Sequence, residues 1–564
     1  MAYDLIVRNG TVIDGSGLPR YRADIAVAGG RIASIGRISE RAEEEIDAEG
    51  QVVAPGFIDL HTHMDAQVFW DPLGTSSCYH GVTSVVMGNC GFTLAPSREG
   101  ARELVVRNLE RAEDIAADAM DAGIDWCFES FREYVEALER LPKGINYAPC
   151  LGHSALRTYV MGERAFEELA TDDDLKAMRA ELRDGLRAGA VGFTTSRTLN
   201  HQTADDRPVA SRLAAWDEVC ALVDVMREEN TGVFEIANED VMGEQVPPYI
   251  DRLLDLAVSC GRPMTWGIGS SRRLPGGYRS WTDGLERIAR AGGRAFGLVH
   301  ARQFSVVLSF RTHLPFDALP VWSELRARPL AEQAAALRDP QTRKRLVEVA
   351  KHGPYAKAVG AEARKPDYDW VFPLLDPVAQ GPSVREIAAQ RGADPDETFL
   401  DLALESDLEG MFLQPFANED PDIVLELMRN PRTVVTFSDS GAHVSQIMDS
   451  SIPTHVLAHW TREREALTLE EAVRMLTFEP ASAWGFADRG LLREGMAADL
   501  VVFDPARVAP RMPEVVTDLP GGCKRLLQKA DGFAASVVGG RAVLRDGEPT
   551  GANPGRVLRT GAGA

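Results

Sequence analysis

From residue 55 onward, short apolar runs alternate with longer charged segments, and this alternation restricts the chain's fold more than any other feature. Such runs begin at Phe57, Thr83, Ile145, Ala190, Gly232, Pro263, Ala295 and Thr433. Each is of strand length, whereas Asp173 to Arg187 and Asp217 to Glu229 carry the apolar stripe of an amphipathic helix. Strands joined through helices build parallel sheets, because each crossover helix covers a sheet face. Eight of them imply an α/β fold, a closed (β/α)8 TIM-type barrel with its functional residues at the carboxyl ends of the strands.

The 564 residues exceed one simple core, so further modules are expected. Residues 1–54 read as short strands around tight turns: Tyr3 to Arg8 and Thr11 to Asp14 flank Asn9-Gly10, and Ala23 to Val27 and Arg31 to Ile35 flank Gly29-Gly30. Alone they bury little. Matching strands at Ala498 to Asp504 and Ala535 to Leu544 predict one small β-sandwich built from residues 1–54 and 485–564, with the barrel over 55–484. Only the tail after Gly551 is Gly-rich and loose. One connection, about 304–430 between the seventh and eighth strands, far exceeds an ordinary loop. It lies on the loop side of the barrel, where it is expected to cover the site.

A formal net charge of −23 argues against nucleic acid or an anionic membrane as partner, since both reward clustered Lys and Arg. No apolar run approaches spanning length, and Met-Ala-Tyr-Asp does not start like a signal peptide. The seven cysteines are scattered and odd in number, which fits a reducing cytoplasm better than a disulfide framework. The expected partner is a small-molecule substrate, and a homo-oligomer is left open.

The first apolar run ends in His61-Thr62-His63. On a strand, residues i and i+2 share a face, so both imidazoles leave one face at the carboxyl end, suitably placed to share a metal ion. Pro55-Gly56-Phe57-Ile58-Asp59-Leu60-His61-Thr62-His63 resembles the opening motif of the amidohydrolase superfamily, metal-dependent hydrolases on a (β/α)8 barrel with an accompanying β-sandwich. The likeness continues through Leu467 to Thr477 and Arg489 to Asp504. Gly88-Asn89-Cys90-Gly91, Gly152 to Arg157 and Gly192 to Ser196 are similar to the N-acyl-D-amino-acid deacylase (D-aminoacylase) branch. That resemblance makes Cys90, otherwise an ordinary packing thiol, a zinc ligand with His61 and His63. It makes Asp439, in Thr436-Phe-Ser-Asp-Ser-Gly-Ala-His443, both a metal contact and the group that handles the proton of the attacking water. His443 would orient that carboxylate or bind substrate.

The chain departs from the branch at two places. Members carry a histidine at the ends of the fifth and sixth strands, and here those strands end in Glu235-Ile-Ala-Asn-Glu239 and Trp266-Gly-Ile-Gly-Ser-Ser-Arg272. One zinc ion rather than two is therefore expected, with Glu235 or His300 as a replacement partner. Arg157, Arg197, Arg272 and Arg302 fall near strand ends and could grip a substrate carboxylate, and His153 and His201 could polarise a carbonyl. The activity implied is hydrolysis of a C–N amide bond in an N-acyl (D-)amino acid by metal-activated water, with Asp439 as general base and acid. A cyclic amide of the hydantoin type, or a non-catalytic binding protein on the same fold, are the alternatives.

Overall fold

The computed structural model describes residues 3–355, 361 and 364–559; the first two residues of the expected amino-terminal strands and the last five of the Gly-rich tail lie outside them. Eight barrel strands run in parallel: Phe57–Thr62, Val82–Met87, Asn146–Pro149 with its continuation Leu151–Gly152, Gly192–Ser196, Val233–Ala237, Met264–Ile268, Ala295–Val299 and Thr433–Val435. The third strand breaks at Cys150, so its first half pairs with the second strand and its second half with the fourth. Closure runs through the ends of the first and eighth strands. Thr62 bridges Ser440, Leu60 N donates to Thr436 Oγ1 at 2.7 Å, and that hydroxyl donates to Asp59 Oδ1 at 2.7 Å.

Leu60, Val86, Val191, Val233, Leu298 and Val434, from strands all round the barrel, pack into one buried cluster that fills its interior. Phe193, Phe234 and Trp266 belong to a larger core shared with Leu182, Leu222, Leu253 and Leu285 of the surrounding helices. This is the layering that the alternating pattern requires. Both termini contribute to one nine-stranded sheet, in which Val52–Pro55 lies between Tyr3–Val12 and Leu500–Phe503. The sheet curls over its own core of Leu5, Val7, Ile25, Val502 and Val537 as the β-sandwich.

After the seventh strand, Phe304–Ser309 pairs antiparallel with Met411–Ala417, which also pairs with Phe372–Pro373. Between them, helices including Pro340–His352 and Pro395–Glu405 enclose a separate core around Phe316, Trp322, Phe399 and Phe412. The excursion thus folds on its own hydrophobic centre and presents a small sheet to the barrel.

Two strand ends differ from expectation. The eighth strand stops at Val435, because Phe437 and Asp439 take positive φ (86° and 51°), which no ladder can follow. The third ends at Gly152, and His153 opens the helix His153–Met161.

Candidate metal centre

The site is assembled where the first, second and eighth strands leave the barrel. Gly88-Asn89-Cys90-Gly91 turns sharply after the second strand, with φ of 84° at Gly88, 55° at Cys90 and 82° at Gly91. A Cβ on Gly88 would lie 2.7 Å from Cys150 O, so close backbone approach as well as torsion demands glycine there. Asn89 Nδ2 reaches Leu60 O, Thr62 O and Val86 O at 3.2–3.3 Å and lashes the turn to the first strand. Cys90 is held beside the imidazoles as a result. The eighth-strand loop is fixed similarly: Asp439 N donates to His61 O at 3.2 Å and His63 N to Ser440 O at 2.8 Å. A Cβ on Gly441 would lie 2.5 Å from His63 O.

These contacts bring metal-type donors together. His61 Nε2 lies 3.5 Å from Cys90 Sγ and 3.2 Å from Asp439 Oδ1, and His63 Nε2 lies 3.5 Å from the same carboxylate oxygen. His61, His63 and Cys90 are buried, while the Asp439 side chain keeps 25% exposure and opens onto a cleft. Phe437 packs on the His61 ring at 4.2 Å. Its strained backbone marks a position over-determined by its surroundings, as functional sites often are.

Sequence reading missed Glu113. It follows the helix Arg102–Leu109, is 2% exposed, and places Oε2 3.4 Å from His63 Nε2. Among the described residues its Oε1 has no hydrogen-bond partner. The signal available was a carboxylate set among the buried Leu109, Ala112 and Ile115. Glu235 points inward as expected, but its Oε2 accepts from Cys90 N at 2.8 Å and its Oε1 lies 4.0 Å from His61 Nδ1, the ring nitrogen turned away from Cys90 and Asp439. It therefore supports the cysteine turn and the His61 ring from beneath, as a positioning partner.

Electrostatics supply the test of whether a cation fits. Burial, with Glu235, Glu113 and Asp439 close by, pushes the Cys90 thiol well up. Burial, with Asp439, Glu235 and Asp65, does the same to Glu113. Burial takes Glu235 to about 7 despite the favourable His61 and Cys90 amide. Asp439 goes the other way: burial opposes its charge, but hydrogen bonds from His61 and His63 outweigh it and hold its pKa far below the carboxylate range. Burial lowers His63 to about 4. A thiol and several carboxyls crowd two imidazoles with no cationic side chain among these ligands, a donor set that a dication would satisfy.

Most of the other expected site residues are engaged by carboxylates. His153 and Arg157, one helical turn apart, both turn to Glu218: His153 Nε2 lies 2.9 Å from Oε1 and Arg157 Nη1 2.5 Å from Oε2. Both residues are wholly buried, and one carboxylate engages them both. Arg197 pairs with Glu239, and Arg272 with Asp367 and Glu419. His300 and Arg302 converge on Asp449 instead of the metal donors. His443 does border the site, with Nε2 3.9 Å from Glu113 Oε2. His201 lies nearby, its Nδ1 2.7 Å from Ser196 Oγ.

The cleft beside Asp439 measures about 90 Å³ and is walled by Phe304, Phe416 and Arg364 of the insertion together with His443 and Gln446. Arg364 stacks over the Phe416 ring at 4.8 Å.

A barrel carrying these donors at the mouth of its first, second and eighth strands is the architecture of a metal-dependent hydrolase. The chain belongs to the amidohydrolase family, whose pattern matches residues 44–550. It is 30% identical to a D-aminoacylase of Alcaligenes xylosoxydans xylosoxydans over 99% of this chain and 97% of that protein. It is also 30% identical to an N-acyl-D-aspartate deacylase of the same organism, over 99% and 95%. The structure of N-acyl-D-glutamate deacylase from Bordetella bronchiseptica, complexed with zinc and a phosphonate mimic of the tetrahedral intermediate, superposes with a TM-score of 0.67 at 26% identity, covering 99% of this chain and 100% of that one. The chain is an enzyme of the D-aminoacylase branch, a metal-dependent hydrolase of C–N bonds. Among the described residues no helix is long and apolar enough to cross a membrane.

Proposed function

We propose that the protein removes the acyl group from N-acyl-D-amino acids, with one tightly held zinc ion on His61, His63, Cys90 and Asp439. The observation that carries this reading is the sharing of Asp439 Oδ1 between His61 Nε2 and His63 Nε2 with Cys90 Sγ alongside, at the edge of a cleft. Zinc bound there supplies polarisation of the amide carbonyl and a lowered pKa, about 7, for the attacking water. Asp439 is the base: held ionised and partly exposed to the cleft, it accepts the water proton and returns it to the leaving nitrogen. Glu235 keeps Cys90 in its turn through the backbone amide.

Arg364, the guanidinium among the described residues lining the cleft, grips the substrate carboxylate, and Phe304 and Phe416 exclude bulk water. A free volume of about 90 Å³ is well below the several hundred Å³ of a typical small-molecule site. Relatives named for D-amino-acid derivatives support the stereochemical choice. The test is a panel of N-acyl-D- and N-acyl-L-amino acids on metal-replete protein, scored by release of the free amine. Turnover confined to D-substrates is expected. No hydrolysis of any member, or preference for L, would overturn the proposal.

A further inference from the structure

Behind the wall of the catalytic cleft lies a second, larger cavity of about 490 Å³. Along Phe304–Ser309, Phe304 and Val306 border the cleft beside Asp439, Val307 borders the larger cavity, and Ser305 borders both. The strand is thus the partition, its side chains alternating between two faces. The remaining wall includes Trp370 and Ala379 of the insertion, and His455, His459 and Trp460 of the helical stretches Ile452–His455 and Val456–Glu463. Its volume falls in the range of small-molecule sites, about 300–1,000 Å³. We infer that this cavity is a second ligand site, separate from the catalytic cleft, for a flat, uncharged aromatic compound carrying an N–H or O–H group. The inference goes beyond the proposed deacylation and does not depend on the zinc assignment.

Charge pairing on the wall sets the ligand's class. Arg302 is bound to Asp449 at 2.6 Å, Arg464 to Asp422 at 2.9 Å, Glu419 to Arg272 at 3.3 Å and Glu463 to His459 at 3.3 Å. Asp376 accepts from the backbone N–H groups of Val378 and Ala379, both at 2.8 Å. Each charged side chain on the described wall is therefore already engaged. A ligand with a net charge would be taken out of water there without a counter-ion, a cost that an uncharged one avoids.

His455 supplies the polar anchor. It is 6% exposed, and among the described residues its Nδ1 has no hydrogen-bond partner. A buried polar atom in that state calls for a bound group to complete it. Burial, with Arg302, His459 and His300 close by, holds its pKa well below the usual imidazole range. The ring is therefore neutral at pH 7, with one nitrogen able to accept a hydrogen bond. It stacks on His459 at 4.9 Å with the planes 20° apart, and His459 packs edge-on to Trp460 at 5.0 Å. With Trp370, these rings give the wall flat faces suited to an aromatic plane, and Leu413 and Val424 add apolar surface.

The test titrates indole into metal-replete protein by calorimetry and compares wild type with His455→Phe and Ala379→Trp. Indole is flat and uncharged, carries one N–H, and is a poor zinc ligand. Ala379 is exposed on the insertion, so a larger side chain there intrudes on the cavity without displacing a core residue. Wild type should bind one equivalent saturably. His455→Phe keeps a ring but removes the acceptor, and should weaken binding about 3- to 10-fold, the usual effect of one neutral hydrogen bond. Ala379→Trp should weaken it by about tenfold or more, through the clash it builds against the ligand. Crystals soaked in indole should show it beside His455. Binding is read without turnover, so a failure of the deacylase reading would leave these results standing. No saturable binding, unchanged affinity in either variant, or indole beside Asp439 instead of His455 would each overturn the inference.

Discussion

Replacing Glu218 with Gln tests whether His153 and Arg157 are scaffold. Glu218 is 4% exposed, Arg157 is fully buried, and the carboxylate receives both Arg157 Nη1 and His153 Nε2. Burial opposes the Glu218 charge, yet the hydrogen bonds and attraction of His153 and Arg157 bring its pKa from 4.5 to about 2. That drop corresponds to about 3 kcal/mol of native-state stabilisation, near the ~3–5 kcal/mol lost when one partner of a buried ion pair is removed. The folded pKa is the lower one, so the contribution is complete above about 4.5 and disappears as pH falls toward 2. In urea unfolding followed by tryptophan fluorescence, Glu218→Gln should lose about 3 kcal/mol at pH 7, and the gap to wild type should close as the solution is acidified through that window. Metal content and KM should stay at wild-type values. A loss under about 1 kcal/mol together with a large rise in KM would return His153 and Arg157 to the substrate site and refute the argument.

Asp439→Asn should lower kcat by about 10²- to 10⁴-fold, the contribution typical of a general base, while zinc analysis still finds metal on His61, His63 and Cys90. Cys90→Ser should reduce zinc affinity in a competition titration with a chelator. Phe416→Ala opens the wall facing Asp439, and the expected result is a lower KM for bulkier acyl groups with little change for acetyl substrates.

How much of this was legible in the sequence follows from which interactions are local. Strand–helix alternation reflects side-chain patterning within one element, and it placed all eight barrel strands. His61 and His63 were readable for the same reason, since the period of a strand puts both on one face. The terminal sheet was read from turn signals, one of which failed, since Asn9-Gly10 lies inside the continuous strand Tyr3–Val12 as a bulge and not a hairpin turn. Asp439 sits on a left-handed residue beyond the strand and reaches the imidazoles only because Gly441 lets the loop lie against His63 O. The likeness to a known family found it; the local pattern by itself would have run the strand straight through.

Glu113 and the four arginines show what a local reading misses. An arginine near a strand end looks alike whether it meets substrate or a carboxylate from another element, and only tertiary structure reveals that Arg157 meets Glu218 and Arg302 meets Asp449. Glu113 is the reverse case. It lies in no strand and matches no motif, and it enters the site because its turn is tied to His443, Ser445 and Gln446, more than 300 residues downstream. Arg157, Arg197, Arg272 and Arg302 are each bound to a specific carboxylate, yet among the described residues Glu113 keeps an oxygen without a partner. That asymmetry in charge satisfaction separates groups that hold the fold together from groups arranged for a ligand, and it places Glu113 with the second kind.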